Sequence, residues 1–238
     1  MIKFFRKIRH NLLNQNKLSK YLMYAIGEIV LVVIGILIAL SINNWNQERV
    51  SNDKAYSYLN QINKDLSLDL RYYKYMIRES SNQILIYDEL AILKTENDSL
   101  LVKFGNIITR NYDPRDFGPS YRSFVNSGDI DLIDDKELLD LFQNYYSITT
   151  ESLNNMTDYQ KDFNIHNIEG RLVETLDIEA DGSYSLVSLR KELKSGNLRS
   201  KANWQNKFYK QLIGMIERCQ NEAQELQRLI NDLEKTRG

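Results

Sequence analysis

The chain has 238 residues, 31 of them basic and 32 acidic, for a formal net charge of −1. That length fits one or two domains, and 26% charged with 42% hydrophobic residues excludes both a wholly disordered chain and a polytopic membrane protein. One cysteine excludes a disulfide framework or a cysteine-ligated zinc or iron–sulfur site within the chain, and the few glycines and prolines, set against roughly 17 and 12 at average usage, point to long helices.

Residues 1–20 carry Lys3, Arg6, Lys7, Arg9, Lys17 and Lys20 and no acid. Ile2, Phe4, Phe5, Ile8 and Leu12 are interleaved with these bases at near-helical spacing, as in an interfacial amphipathic helix. A basic arm can also mark a nucleic-acid site. Here it abuts an apolar segment, and anionic lipid headgroups explain it more simply.

Residues 21–42 follow with a single charge, Glu28. As a helix they extend about 33 Å, enough for a hydrocarbon core of about 30 Å. Tyr21 and Tyr24 at one edge and Trp45 at the other suit membrane-interface anchors. The apolar run is longer than a signal-peptide core, so a retained anchor is expected rather than a cleaved leader. Six bases precede the span, and only Arg49 and Lys54 follow closely. The positive-inside rule then puts the N-terminus in the cytoplasm and residues 43–238 across the membrane. Those residues hold 25 of the 31 bases and 31 of the 32 acids, which does not suggest a nucleic-acid partner.

Within the span, Glu28, Val32, Gly35 and Ala39 share one helical face. A small-xxx-small pair lets two helices approach closely, and an intramembrane carboxylate often marks a polar contact. Glu28, Gly35 and Ala39 are therefore expected to face a partner span.

Several strings stand out: Tyr21-Leu-Met-Tyr-Ala-Ile-Gly-Glu-Ile29, Leu31-Val-Val-Ile-Gly-Ile-Leu-Ile-Ala-Leu40 and Ile42-Asn-Asn-Trp-Asn46. With the basic arm, this stretch resembles a family of small bacterial single-pass membrane proteins of unknown function. The resemblance covers about residues 3–50. A weaker echo lies at Ser127-Gly-Asp-Ile-Asp-Leu-Ile-Asp-Asp-Lys-Glu-Leu138 and at Tyr145-Tyr146. The family pattern has an acid after Trp-Asn, where this chain has Gln47 and then Glu48. The resemblance implies a Gram-negative inner membrane, with residues 43–238 periplasmic. It supplies no catalytic residues.

No glycine or proline occurs between Ile36 and Phe104. Leu59, Leu66, Tyr73 and Tyr87 recur at one heptad position, with Leu70, Ile77, Ile84 and Ala91 at the other. The span is thus expected to continue as one helix to about Lys94. Polar Asn63 and Ser80 among these positions favour packing within the chain over a tight dimeric zipper. Thr95–Ser99 should cap a short helix from Leu100 to Arg110. Gly105, Pro114, Gly118, Pro119 and Gly128 then cluster, and residues 111–120, which hold both prolines, read as the one clear loop; loops held out by rigid scaffolds often carry function.

Asp134 with Glu137 reads as a capping pair opening the next helix. Its stripe is Leu138, Phe142, Tyr145, Thr149, Ser152, Met156, Tyr159, Phe163 and His166, spaced by fours and threes. Residues 170–199 read as irregular, with a turn at Asp181-Gly182. A last helix, about Ser200 to Lys235, carries Trp204, Phe208, Leu212, Met215, Cys219, Leu226, Ile230 and Leu233 on one side. The expected class is all-α: one N-terminal transmembrane helix continuing into a long helix, then an antiparallel helical bundle spanning 43–238.

The sequence offers little chemistry. His166, between Asp162 and Glu169, reads as a hydrogen-bonded seam residue rather than a ligand. Asp129, Asp131, Asp134 and Asp135 lack EF-hand spacing. Cys219 sits on a packing stripe with no base indicated. No nucleophile elbow, phosphate loop, dinucleotide fingerprint or zinc-protease motif occurs. No catalytic residue, metal or cofactor is therefore expected. The leading expectation is a non-enzymatic envelope interaction or scaffold module that binds the bilayer and either another envelope protein or itself. The alternative is a periplasmic bundle that senses a small molecule and signals through a partner; a cavity lined by Tyr72, Tyr73, Tyr145 or Tyr146 would favour it.

Overall fold

A computed structural model describes residues 18–93 and 97–236. Most of the basic arm, Lys94 at the expected end of the long helix and residues 95–96 of the expected capping turn lie outside the described residues, as does the side chain of Tyr21. The helices are α1 (Leu18–Leu93), α2 (Asp98–Gly105), α3 (Pro119–Asn126), α4 (Lys136–Asn144), α5 (Thr150–Phe163), α6 (Gly170–Thr175), α7 (Leu186–Ser195) and α8 (Asn197–Thr236). A 3-10 turn at Asp129–Leu132 follows α3, and π-helical turns at Tyr145–Thr149 and Asn164–Glu169 join α4 to α5 and α5 to α6. Strand pairing among the described residues is limited to the bridge Ile178–Tyr184. The protein is all-α.

The chain divides into two compact units, 1–54 and 55–238. In the first, α1 is long and apolar enough to cross a membrane. Its most apolar 18-residue window has a mean hydropathy of 2.8, and none of that window is buried.

In the second unit, α1 buries Ala55, Leu59, Ile62, Leu66, Asp69, Tyr73, Met76, Ser80, Gln83, Tyr87 and Leu90. The spacing alternates four and three throughout, the mark of a helix packed along one seam. Half of the expected pattern is present. Leu59, Leu66, Tyr73 and Tyr87 are buried, but Leu70, Ile77 and Ile84 are half-buried and Ala91 is exposed. The second seam row includes Asp69 and Gln83, whose polar side chains find partners across the bundle.

α8 runs antiparallel to α1. Asn63 donates to Asn231 at 3.0 Å and Gln227 to Ser67 at 2.8 Å near one end, while Asp88 accepts from Asn206 at 2.7 Å near the other. α5 is antiparallel to α8: Gln160 donates to Gln205 at 3.1 Å, and the Cys219 thiol to the Thr149 carbonyl at 3.8 Å. α1, α4–α5 and α8 thus form the bundle, and α7 packs on α8 and α2.

Several local expectations shift. Asp135 rather than Asp134 caps α4, accepting from the Leu138 amide at 3.0 Å. Asn97 caps α2, which stops at Gly105 rather than Arg110. Residues 170–199 are largely helical, as α6 and α7, with the expected turn at Gly182, whose φ is +85°. α8 begins at Asn197, after Gly196 at φ +90°.

The largest correction concerns the stripe from Leu138 to His166. It is buried through Thr149 and then moves by one residue. Thr150, Leu153, Thr157, Gln160, Asn164 and Ile168 are buried, while Ser152, Tyr159 and His166 are exposed and Met156 and Phe163 half-buried. The π-helical turn at Tyr145–Thr149 takes up one extra residue, which rotates every later side chain by about 100°.

Candidate functional site

The loop between α2 and α3 is a dense polar junction in the bundle. A loop that packs against helices must have its backbone groups satisfied, and here side chains do this. The Arg110 carbonyl accepts from Asn164 at 3.1 Å, Tyr209 at 3.0 Å and Gln160 at 3.5 Å. Asn154 of α5 holds Arg115 at both ends: its carboxamide oxygen accepts from the Arg115 amide at 3.0 Å, and its nitrogen donates to the Arg115 carbonyl at 2.9 Å. Gln205 donates to Asn164, closing a buried amide cluster of Gln160, Asn164 and Gln205 around this loop.

The side chains of the loop grip α1. Phe117 stacks on Tyr73 with ring centroids 5.8 Å apart. Tyr112 donates to the Met76 carbonyl at 3.3 Å and lies 3.1 Å from the Ser80 hydroxyl. The Arg115 guanidinium sits 4.8 Å over the Tyr72 ring and pairs with Asp69 at 3.2 Å. Asp65 accepts from the Ser120 amide at 3.1 Å, satisfying the first turn of α3 from outside that helix. Gly118 closes the loop at φ +70°, with the Tyr146 ring against it.

Asp69 is the centre of the junction. It is 3% exposed. Tyr145 donates to its Oδ2 at 3.1 Å, and the Tyr145 oxygen lies 2.8 Å from that of Tyr73. Since the Tyr145 hydrogen goes to the carboxylate, Tyr73 donates to Tyr145. Desolvation pushes the Asp69 carboxyl up to about 6, although Arg115 and the Tyr145 hydrogen bond pull it down and Asp65 adds to the rise. Burial also drives the phenols of Tyr73 and Tyr145 far above the usual range, so both stay protonated donors.

The triad offers no activated nucleophile. Burial pushes the Cys219 thiol up to about 12, so it remains a small packed side chain. His166, expected on the seam, is exposed with its Nδ1 3.1 Å from Asp162; the register shift turned it out. Among the described residues no group of three or more His, Cys, Asp or Glu side chains is placed to hold a metal ion.

On the apolar part of α1, Glu28 is half-exposed and lines a shallow surface hollow with Ala25, Ile29, Val32 and Val33. Gly35 and Ala39 follow on the same face, both exposed, and a Cβ at Gly35 would meet nothing within 4 Å. Tyr24 and Trp45 are exposed, with the Arg49 guanidinium 5.7 Å over the Trp45 ring.

The sequence pattern does not single out Asp69, Arg115 or the amide cluster. The available signal is the strict four–three spacing from Ala55 to Leu90, in which an aspartate and a glutamine occupy seam positions. The family described as "Family of unknown function (DUF6090)" matches residues 28–188. No curated protein and no solved structure matches the chain.

Proposed function

The chain belongs to the DUF6090 family of unknown function, and from that premise we propose that it is a membrane-anchored helical interaction module without enzymatic activity. Residues 21–42 hold it in the cytoplasmic membrane of a Gram-negative cell. The N-terminal arm, 1–20, lies in the cytoplasm, and the bundle within 43–238 binds another envelope protein or a second copy in the periplasm. One observation carries the reading. Among the described residues nothing buries the most apolar stretch of α1, whereas the apolar core helix of a soluble protein is covered by its neighbours.

The sensing alternative needs room among Tyr72, Tyr73, Tyr145 and Tyr146. Tyr73 and Tyr145 are fully buried and bonded to one another, Tyr146 packs edge-on against Tyr145, and Tyr72 lies under Arg115. That filled junction favours the interaction module. Within the membrane, Glu28, Gly35 and Ala39 would face a partner helix. Gly35→Leu with Glu28→Gln should then shrink detergent-extracted complexes, and an unchanged size would remove that contact.

The module itself is tested by in-cell crosslinking of the tagged full chain, with mass spectrometry of what is captured. The expected result is a chain that resists alkaline extraction from the membrane fraction and brings one stoichiometric envelope protein, or itself. Recovery in the soluble fraction would overturn the anchor. Capture of cytosolic proteins through the bundle would overturn the orientation.

A further inference from the structure

The register shift that sends Gln160 and Asn164 inward builds an aromatic surface outside. An uninterrupted helix from Lys136 would bury Met156, Tyr159 and Phe163; the π-helical turn brings them to the edge of α5 instead. There they meet Trp204 of α8, whose ring centroid lies 3.7 Å from Phe163, 5.5 Å from Phe208 and 5.8 Å from Tyr159. Met156, Tyr159, Trp204, Lys207, Phe208 and Gln211 line an open groove of about 350 Å³ between the two helices. Tyr159 is 60% exposed. Gly214, one heptad beyond Lys207, has nothing within 4 Å of where its Cβ would stand. Glycine weakens a helix interior, and no neighbour among the described residues accounts for this one. Places where local rules fail in a folded chain tend to be functional.

We infer that this groove is where a second copy of the chain docks, with α5 of each copy lying over α8 of the other. The inference rests on the interaction-module reading and names its partner. Charge selects the occupant. α5 carries Glu151, Asp158 and Asp162 on its solvent side, whereas α8 has Arg199, Lys201, Lys207 and Lys210 and no acid from 197 to 216. The Gln160–Gln205 and Cys219–Thr149 contacts set Asp158 level with Lys207. A twofold axis running along the helix pair brings α5 of one copy over α8 of the other and keeps that level. Each Asp158 then faces the Lys207 of the other copy, and the aromatic rows meet between the two charged rims. Among the described residues Lys207 makes no ion pair, and Asp158 feels only the weaker pull of Lys161, whose amine is bonded to Asp113. The surface is self-complementary, as an isologous interface requires, with aromatic groups at its centre and charge at its rim.

The test uses the full chain, fluorescently labelled in two colours and co-reconstituted in lipid vesicles, with energy transfer reading self-association. Wild-type chains should associate. Lys207→Glu sets like charges face to face and should weaken association about ten-fold or more, and adding Asp158→Lys should restore it. Gly214→Leu fills open space in the single chain, so the fold is kept, and it should block docking as strongly. Association that is indifferent to all three variants overturns the inference. If Gly35→Leu alone abolishes association, the module reading stands and this surface falls. No self-association, together with a stoichiometric envelope partner captured in cells, likewise keeps the module and removes the surface.

Discussion

The phenol of Tyr145 donates to the Asp69 carboxylate across 3.1 Å and accepts from Tyr73 at 2.8 Å, so one hydroxyl ties the first residue of a π-helical turn to two successive seam positions of α1. Tyr145→Phe removes that hydroxyl and strips a partner from both buried groups. Each buried group left unsatisfied costs about 1–3 kcal/mol, so the variant should lose at least that much. Tyr73→Phe gives up the hydroxyl's contacts with Tyr145 and the Cys219 thiol but leaves the Tyr145–Asp69 bond in place, and should lose less. Because the two share a bond, the double variant should lose less than the two single losses together. Denaturant unfolding of the full chain in micelles reads all three, and strictly additive losses would show that the hydroxyls act separately.

Asp69 makes stability depend on pH in a definite direction. Its carboxyl stands at about 6 in the folded chain, against a reference of 3.8. The folded state therefore holds the proton more tightly than the unfolded state does. The resulting stabilisation is complete below about pH 4 and is lost as pH rises through 6. Asp69→Asn lacks it. Relative to that variant, the wild type should lose up to about 3 kcal/mol between pH 4 and pH 6.5 and change little above that. Parallel stability curves for the two chains would dismiss Asp69 as the titrating group.

The contrast between what the sequence reveals here and what it conceals has a simple cause. The membrane-length segment, the unbroken α1 and the packed face of α8 are written in apolar periodicity, and a periodic face is local information. Asp69 and Gln83 escape that logic. Apolarity assigns the second seam row to Leu70, Ile77 and Ile84, but Asp69 is buried because Arg115 and Tyr145 reach it, and Gln83 because Tyr209 does. Those partners lie far away in the chain. The π-helical turns leave no mark in composition, so one extra residue at Tyr145–Thr149 is enough to carry Tyr159 out of the seam and bring Gln160 in. The loop was legible as a loop; that its carbonyls are held by Asn154, Gln160 and Asn164 was not.

Gly118 should tolerate substitution worst among the left-handed glycines. At φ +70°, a Cβ there would lie 2.4 Å from the Tyr146 ring, which is itself stacked on Tyr121 and cannot withdraw freely. Gly118→Ala adds a steric clash to backbone strain and should lose several kcal/mol, on the order of 3 or more. Gly182 has the same kind of backbone, at φ +85°, but open space around it, so Gly182→Ala should lose only the strain, about 1 kcal/mol. Thermal unfolding of the two variants side by side separates clash from strain, and similar losses would mean that Tyr146 moves aside.

If the turn at Tyr145–Thr149 holds one residue more than an α-helix needs, deleting that residue should be mild. Ser147 is exposed within the turn. Without it, α4 and α5 can join as a regular helix in which Leu138, Phe142 and Tyr145 still lead into Leu153, Thr157 and Gln160 on the same seam. The Asn154 and Gln160 contacts to the loop are then kept. Deleting Asn155, also exposed, has the opposite effect. It rotates everything that follows, so that Asp158 and Lys161 replace Thr157 and Gln160 at buried positions. Burying unpaired charge is among the costliest changes a core can suffer. The first deletion should melt cooperatively within a few degrees of wild type, and the second should abolish cooperative melting. Equal damage from both would mean that the turn is not a one-residue insertion, and that the outward row of Met156, Tyr159 and Phe163 has some other origin.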